Sequence, residues 1–102
     1  MSREVDETAA HELDLYIAND SFMYNRLQAF LDAVRKKIRS NKYDASKAPK
    51  LWLYYVDEGA KRYMKEIAGS GKVSDVFNKP TREALAKEYA KDYYQHIMRE
   101  ES

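Results

Sequence analysis

The chain has 102 residues, a formal net charge of +1, 44% hydrophobic and 34% charged residues, which is material for one hydrophobic core and not for two. Near-neutrality excludes a strongly acidic mimic of nucleic acid and a strongly basic coating protein. The absence of cysteine excludes disulfides, thiolate metal sites and cysteine nucleophiles.

Three glycines and two prolines leave few breakers, so long helices are expected in place of a turn-rich sheet. No apolar run approaches the roughly 18 residues of a membrane span, and the charged residues 1–7 do not read as a secretory signal. The expectation is one all-α domain over residues 1–102, a bundle or orthogonal array of about four amphipathic helices. Residues 1–7 are expected as a flexible arm, the location as cytoplasmic, and membrane contact as none.

The first helix is predicted from about Thr8 to Ala18, with Thr8 as cap and Leu13, Tyr16 and Ile17 on one stripe. The second carries Met23, Leu27, Phe30, Leu31, Val34 and Ile38 at three- and four-residue steps. Asn19, Asp20 or Ser21 supplies its cap, and Arg35, Lys36, Lys37 and Arg39 suit the negative end of its dipole.

The third helix follows Asp44 or Ser46, with Ser46 favoured as cap because Pro49 then falls in the first turn. Trp52, Tyr55, Val56, Gly59, Ala60, Tyr63 and Ile67 form its buried stripe. Gly59 costs about 1 kcal/mol relative to Ala in a helix, so a close approach by another backbone or an aromatic ring is expected there. Asp57 with Lys61, and Glu58 with Arg62, stand four residues apart in the favourable order. Gly69-Ser70-Gly71 ends this helix, and residues 73–77 add a turn that plugs the core with Val76 and Phe77. Thr81 is the expected cap of the last helix, whose inner face is Leu85, Tyr89, Tyr93, His96 and Ile97.

Motifs of chemistry are weak. His11-Glu12 lacks the second histidine of a zinc-protease helix, since position 15 is Leu15. Gly69-Ser70-Gly71-Lys72 follows a helix where a phosphate loop follows a strand. Asp57 and Glu58 are adjacent, so they point about 100° apart and do not converge on one atom. No catalytic residue, metal ligand or cofactor is assigned; a deep polar pocket gathering Glu12, Asp57 or His96 would revive a helical enzyme.

Nine tyrosines are more informative. Tyr54 lies off the apolar stripe beside Lys50 and Lys61, and Tyr94 lies beside Lys87 and Lys91. Exposed tyrosine among long cations suits a protein interface or stacking on single-stranded nucleic acid. Lys50, Tyr54, Lys61 and Tyr94 are therefore the candidate partner-binding residues. The basic segment 35–50 offers a second surface, on which Arg35, Lys36, Arg39, Lys42 and Lys47 are candidates for phosphate contacts. If the acidic residues 1–20 meet this segment, the two neutralise each other.

The run from His11 to Ile17 with Asn19-Asp20, then Tyr43-Asp44, then Lys50-Leu51-Trp52-Leu53-Tyr54-Tyr55-Val56-Asp57-Glu58-Gly59-Ala60-Lys61-Arg62-Tyr63, resembles a family of small proteins encoded by tailed bacteriophages and prophages. The resemblance runs through most of the chain to Thr81-Arg82-Glu83 and beyond. It implies a setting in the bacterial host cytoplasm and no enzymatic mechanism. The expectation is a non-enzymatic phage accessory protein that binds a host or phage macromolecule. A protein is the leading partner, inhibited or redirected as a host defence or replication factor. Nucleic acid bound at residues 35–50 is the alternative, and a homodimer is a further way to cover an aromatic face.

Overall fold

The computed structural model describes residues 4–101, and every structural statement below concerns those residues. Helices follow one another with short connections: α1 is Glu7–Asn19, α2 Ser21–Arg39, α3 Ala48–Tyr63, α4 Val73–Val76 and α5 Lys79–Glu101. No strand occurs among the described residues. The all-α expectation holds.

The helix starts show where local chemistry was misplaced. Asp6, not Thr8, caps α1, its Oδ1 accepting the Ala9 amide at 3.0 Å. Asp20 ends α1 in extended conformation and caps α2 through the Met23 amide at 3.1 Å, so these helices join at a corner with no loop. Ser46 does not cap α3: its amide and hydroxyl both donate to Asp44 Oδ1, at 2.9 and 2.6 Å. Lys47 takes the cap position without a side-chain bond. Pro49 falls in the first turn as expected, where its missing N–H has no helical partner to lose.

Thr81 is likewise inside α5. Its amide donates to Asn78 Oδ1 at 3.0 Å, so Asn78 satisfies the helix start. Thr81 is fully buried because its hydroxyl is a junction: it donates to Asn78 and accepts the Asp6 amide at 2.9 Å. Asn78 Nδ2 also donates to the Glu4 carbonyl at 2.9 Å. Of the stretch 1–7 expected as an arm, residues 1–3 lie outside the described residues, and Glu4 and Asp6 are tied to the start of α5.

The core centres on Trp52, which is buried between α2 and α5. Tyr93 stacks on its ring at 4.9 Å and Phe30 at 5.6 Å, while Tyr55 meets it edge-on at 5.5 Å. Such pairs add about 0.5–1.5 kcal/mol each beyond the area they bury. The Tyr55 hydroxyl donates to the Met23 carbonyl at 3.0 Å, which satisfies the polar tip inside the core. The approach to Gly59 comes from α1: a Cβ there would lie 2.6 Å from both Ile17 Cδ1 and Cγ1. A side chain of α1 thus fills the space expected for a backbone or ring.

Three expected inner positions are outside. Beyond Tyr63 the chain widens into a π-helical turn over Met64–Ala68. Its residues advance by less than an α-helical step, so Met64 is buried while Ile67 is 60% exposed. Phe77 plugs the core, but Val76 faces out. His96 is exposed and pairs with Glu100 at 3.0 Å.

The expected pairs along α3 give way to pairs between elements. Asp57 accepts from Arg82 at 2.8 Å, Glu58 from Arg26 at 3.1 Å, and Asp20 from Arg62 at 2.9 and 3.2 Å. Tertiary packing brought Asp57, Glu58 and Arg62 partners on another helix or corner, and those contacts replaced the local ones.

Candidate binding surface

The acidic start and the basic centre turn to different neighbours. On α1, Asp14 accepts the Tyr89 hydroxyl of α5 at 2.5 Å. Asp20 is held by Arg62, whose guanidinium bonds keep its carboxyl below the usual carboxylate range. On α2, Arg35 donates to Glu100 at 2.8 Å and to Asp32 at 3.2 Å. The same pairing lowers the Glu100 carboxyl from its ordinary value.

The lysines downstream behave differently. Three hollows surround the N-terminal turns of α3. The first, about 320 Å³, is lined by Lys37, Lys42, Tyr43, Asp44, Lys47, Ala48 and Leu51. The second, about 260 Å³, is lined by Tyr43, Ala45, Ala48, Pro49, Lys87, Ala90, Lys91, Tyr94 and Gln95. The third, about 320 Å³, is lined by Ser46, Pro49, Lys50, Leu53, Lys79, Glu83 and Lys87. The first two share Tyr43 and Ala48; the second and third share Pro49 and Lys87.

They form one continuous band. It gathers Lys37, Lys42, Lys47, Lys50, Lys79, Lys87 and Lys91 against two carboxylates, Asp44 and Glu83. None of these lysines makes an ion pair within 4.0 Å among the described residues. Asp44 is already engaged by Ser46, whose hydrogen bonds lower its carboxyl. Positive charge of one sign in a set of joined concavities raises the local potential and draws anions.

Tyr43 and Tyr94 stack at 4.8 Å with planes 2° apart, tying the loop before α3 to α5. Burial pushes the Tyr43 hydroxyl up from its ordinary value.

The sequence-based residues divide among several places. Lys50 lines the third hollow, and Lys42 and Lys47 line the first. Tyr94 lies near Lys87 and Lys91 as expected, but it is half-buried in the stack on Tyr43 and not exposed. Tyr54 is 72% exposed on α3, in a row with exposed Lys50 and Lys61, and lines none of the three hollows. Lys36 and Arg39 are exposed on the last turns of α2, outside the hollows, while Arg35 is half-buried at Glu100.

Lys79, Lys87 and Lys91 were not grouped with the basic segment by sequence reasoning, because they arrive from α5. The available signal was the four-residue step between Lys87 and Lys91, which puts both on one side of that helix.

The other side of α5 carries Glu88 and Asp92. With Glu7, His11 and Asp14 of α1, and with His96, they line two joined hollows of about 310 and 350 Å³. The helix is thus cationic on one flank and anionic on the other. The hollow that His96 lines contains neither Glu12 nor Asp57. Among the described residues no group of three or more His, Asp or Glu side chains is placed to hold a metal ion, and no helix is long and apolar enough to cross a membrane. Compared with protein-family profiles, with curated proteins and with solved structures, the chain matches none.

Proposed function

We propose that this chain is a non-enzymatic accessory protein, of the phage-encoded kind its sequence resembles, that binds nucleic acid along the lysine band. The observation that carries the reading is the convergence of seven unpaired lysines from α2, the following loop, α3 and α5 around joined hollows with two carboxylates. Nucleic acid fits because its phosphates present a row of charges, and each neutralised phosphate releases counterions.

Fluorescence anisotropy with labelled oligonucleotides tests it. Affinity is expected to fall linearly with salt on logarithmic axes, by about 0.7–0.9 in slope per phosphate contacted. Lys87→Glu with Lys91→Glu should weaken binding and flatten that slope, whereas Glu88→Lys on the other flank should not weaken it. Binding unaffected by the double reversal would refute the reading.

A second reading, a protein partner, is favoured by one observation. Among the described residues Tyr54 is the most exposed of the large apolar side chains, and it lies between Lys50 and Lys61 on α3, where Tyr and a long cation suit an interface core. Capture from bacterial lysate should then recover one specific protein, lost on Tyr54→Ala with Lys61→Glu in a chain that stays folded.

A further inference from the structure

We infer that the middle hollow is a nucleobase subsite, so that the band takes single-stranded nucleic acid with a base turned inward. The inference rests on the nucleic-acid reading above and specifies the form of the polymer.

The three hollows differ in chemistry. The outer two mix apolar surface with ammonium groups and loop polar atoms: Lys37, Lys42 and Lys47 on one side, Lys50 and Lys79 on the other. The middle one is walled by Ala45, Ala48, Pro49 and Ala90, with the stacked Tyr43 and Tyr94 rings. Phosphate gains nothing from a wall of methyl groups and rings. A planar, weakly polar ring system does, and aromatic side chains accept any base face because every base carries π density.

Size agrees with this. The hollow, about 260 Å³, is just below the roughly 300 Å³ at which drug-sized pockets begin, which leaves room for a single flat ring system. Gln95 at its edge supplies an amide that can donate to or accept from a base edge. Lys87 and Lys91 flank it at the spacing of one helical turn, where phosphates on either side of an inserted base would lie.

A duplex does not satisfy this arrangement. Its bases are stacked inside and read by an element that protrudes into a groove, whereas here the apolar surface is recessed. Phosphate-binding flanks with a base-binding centre match the alternation of a single strand.

The test compares four probes on the full chain at one salt concentration: a labelled single strand, the same length with abasic sites throughout, the same sequence as a duplex, and inorganic polyphosphate. The base-bearing single strand is expected to bind about 5- to 150-fold more tightly than the abasic strand, the range that stacking of one base spans. Polyphosphate is expected to follow the abasic strand. Ala45→Ile, a change in an exposed turn that narrows the mouth, should bring the base-bearing strand towards the abasic level and leave the abasic strand unchanged. Tyr94→Leu, checked for fold by circular dichroism, should act in the same direction.

Equal affinity for base-bearing and abasic strands, or tighter binding of the duplex, overturns the subsite while leaving the lysine band as a phosphate surface. No binding of any probe at low salt overturns the nucleic-acid reading and the subsite together.

Discussion

Gly59→Ala isolates one contact on which the packing of α1 against α3 depends. Judged by helix propensity alone the change should stabilise α3 by about 1 kcal/mol. The new Cβ would meet Ile17 Cδ1 and Cγ1 at 2.6 Å, and Met23 Cε at 3.4 Å. Met23 Cε is the end of a flexible chain, but Cγ1 sits next to the β-branch of a residue only 4% exposed, with no open space to retreat into.

Overpacking of this kind costs about 1–3 kcal/mol, and two contacts at 2.6 Å place this clash in the upper part of that range, so it outweighs the propensity gain. The expected net loss is about 1–2 kcal/mol, or a fall in Tm of roughly 5–15 °C for a domain of this size. Denaturant titration followed by circular dichroism, with Ile17→Val and the double variant, completes a cycle. Ile17→Val removes Cδ1 and by itself costs about 0.5–1.5 kcal/mol, yet combined with Gly59→Ala it relieves half the clash. The double variant is therefore expected to lose less than the sum of the singles. A Gly59→Ala protein more stable than the parent, or strictly additive losses, would refute the reasoning.

Other expectations follow from single contacts. Asp20→Asn keeps an effective cap for α2 but removes the ion pair with Arg62, costing stability at neutral pH. Because Arg62 depresses the folded-state pKa of Asp20, that stability is present above the unfolded carboxyl's pKa and is lost as pH falls through the folded value; urea midpoints of parent and variant should converge as pH falls below the ordinary carboxylate range. Thr81→Val removes the acceptor of the Asp6 amide and should cost about 1–2 kcal/mol, with faster hydrogen exchange at Asp6 as the local sign. Burial raises the hydroxyls of Tyr55 and Tyr89 above their ordinary value. Once pH exceeds the unfolded tyrosine pKa of about 10, the unfolded chain sheds protons that the folded one keeps, and stability should decline. Ultraviolet titration should show these two rings silent until the protein unfolds.

The charge pattern explains why the candidate surface escapes a sum over the sequence. A net charge of +1 hides an α5 with Lys87 and Lys91 on one flank and Glu88 and Asp92 on the other. Each flank then joins like charges from a different part of the chain: the loop before α3 on one side, and α1 on the other. Segregation of this sort is a property of packing, since it depends on which flank faces which neighbour.

Periodicity alone was enough to give the helices and most of the core. Leu13, Ile17, Met23, Leu31, Val34, Trp52, Tyr55, Val56, Leu85, Tyr89 and Ile97 recur once per turn, and all are buried, because a helix must cover an apolar stripe whatever its partner. Where that period changes, as at the π turn that exposes Ile67, the pattern misleads.

The link between the starts of α1 and α5 through Asp6 and Thr81, the partners of Asp57, Glu58 and Arg62, the Ile17 side chain over Gly59 and the lysine band were decided by tertiary structure. Each needs two segments far apart in the chain to be brought within a few ångströms. Local spacing offers a charged or polar residue several partners of similar small energy. Burying the shared apolar stripes selects among them.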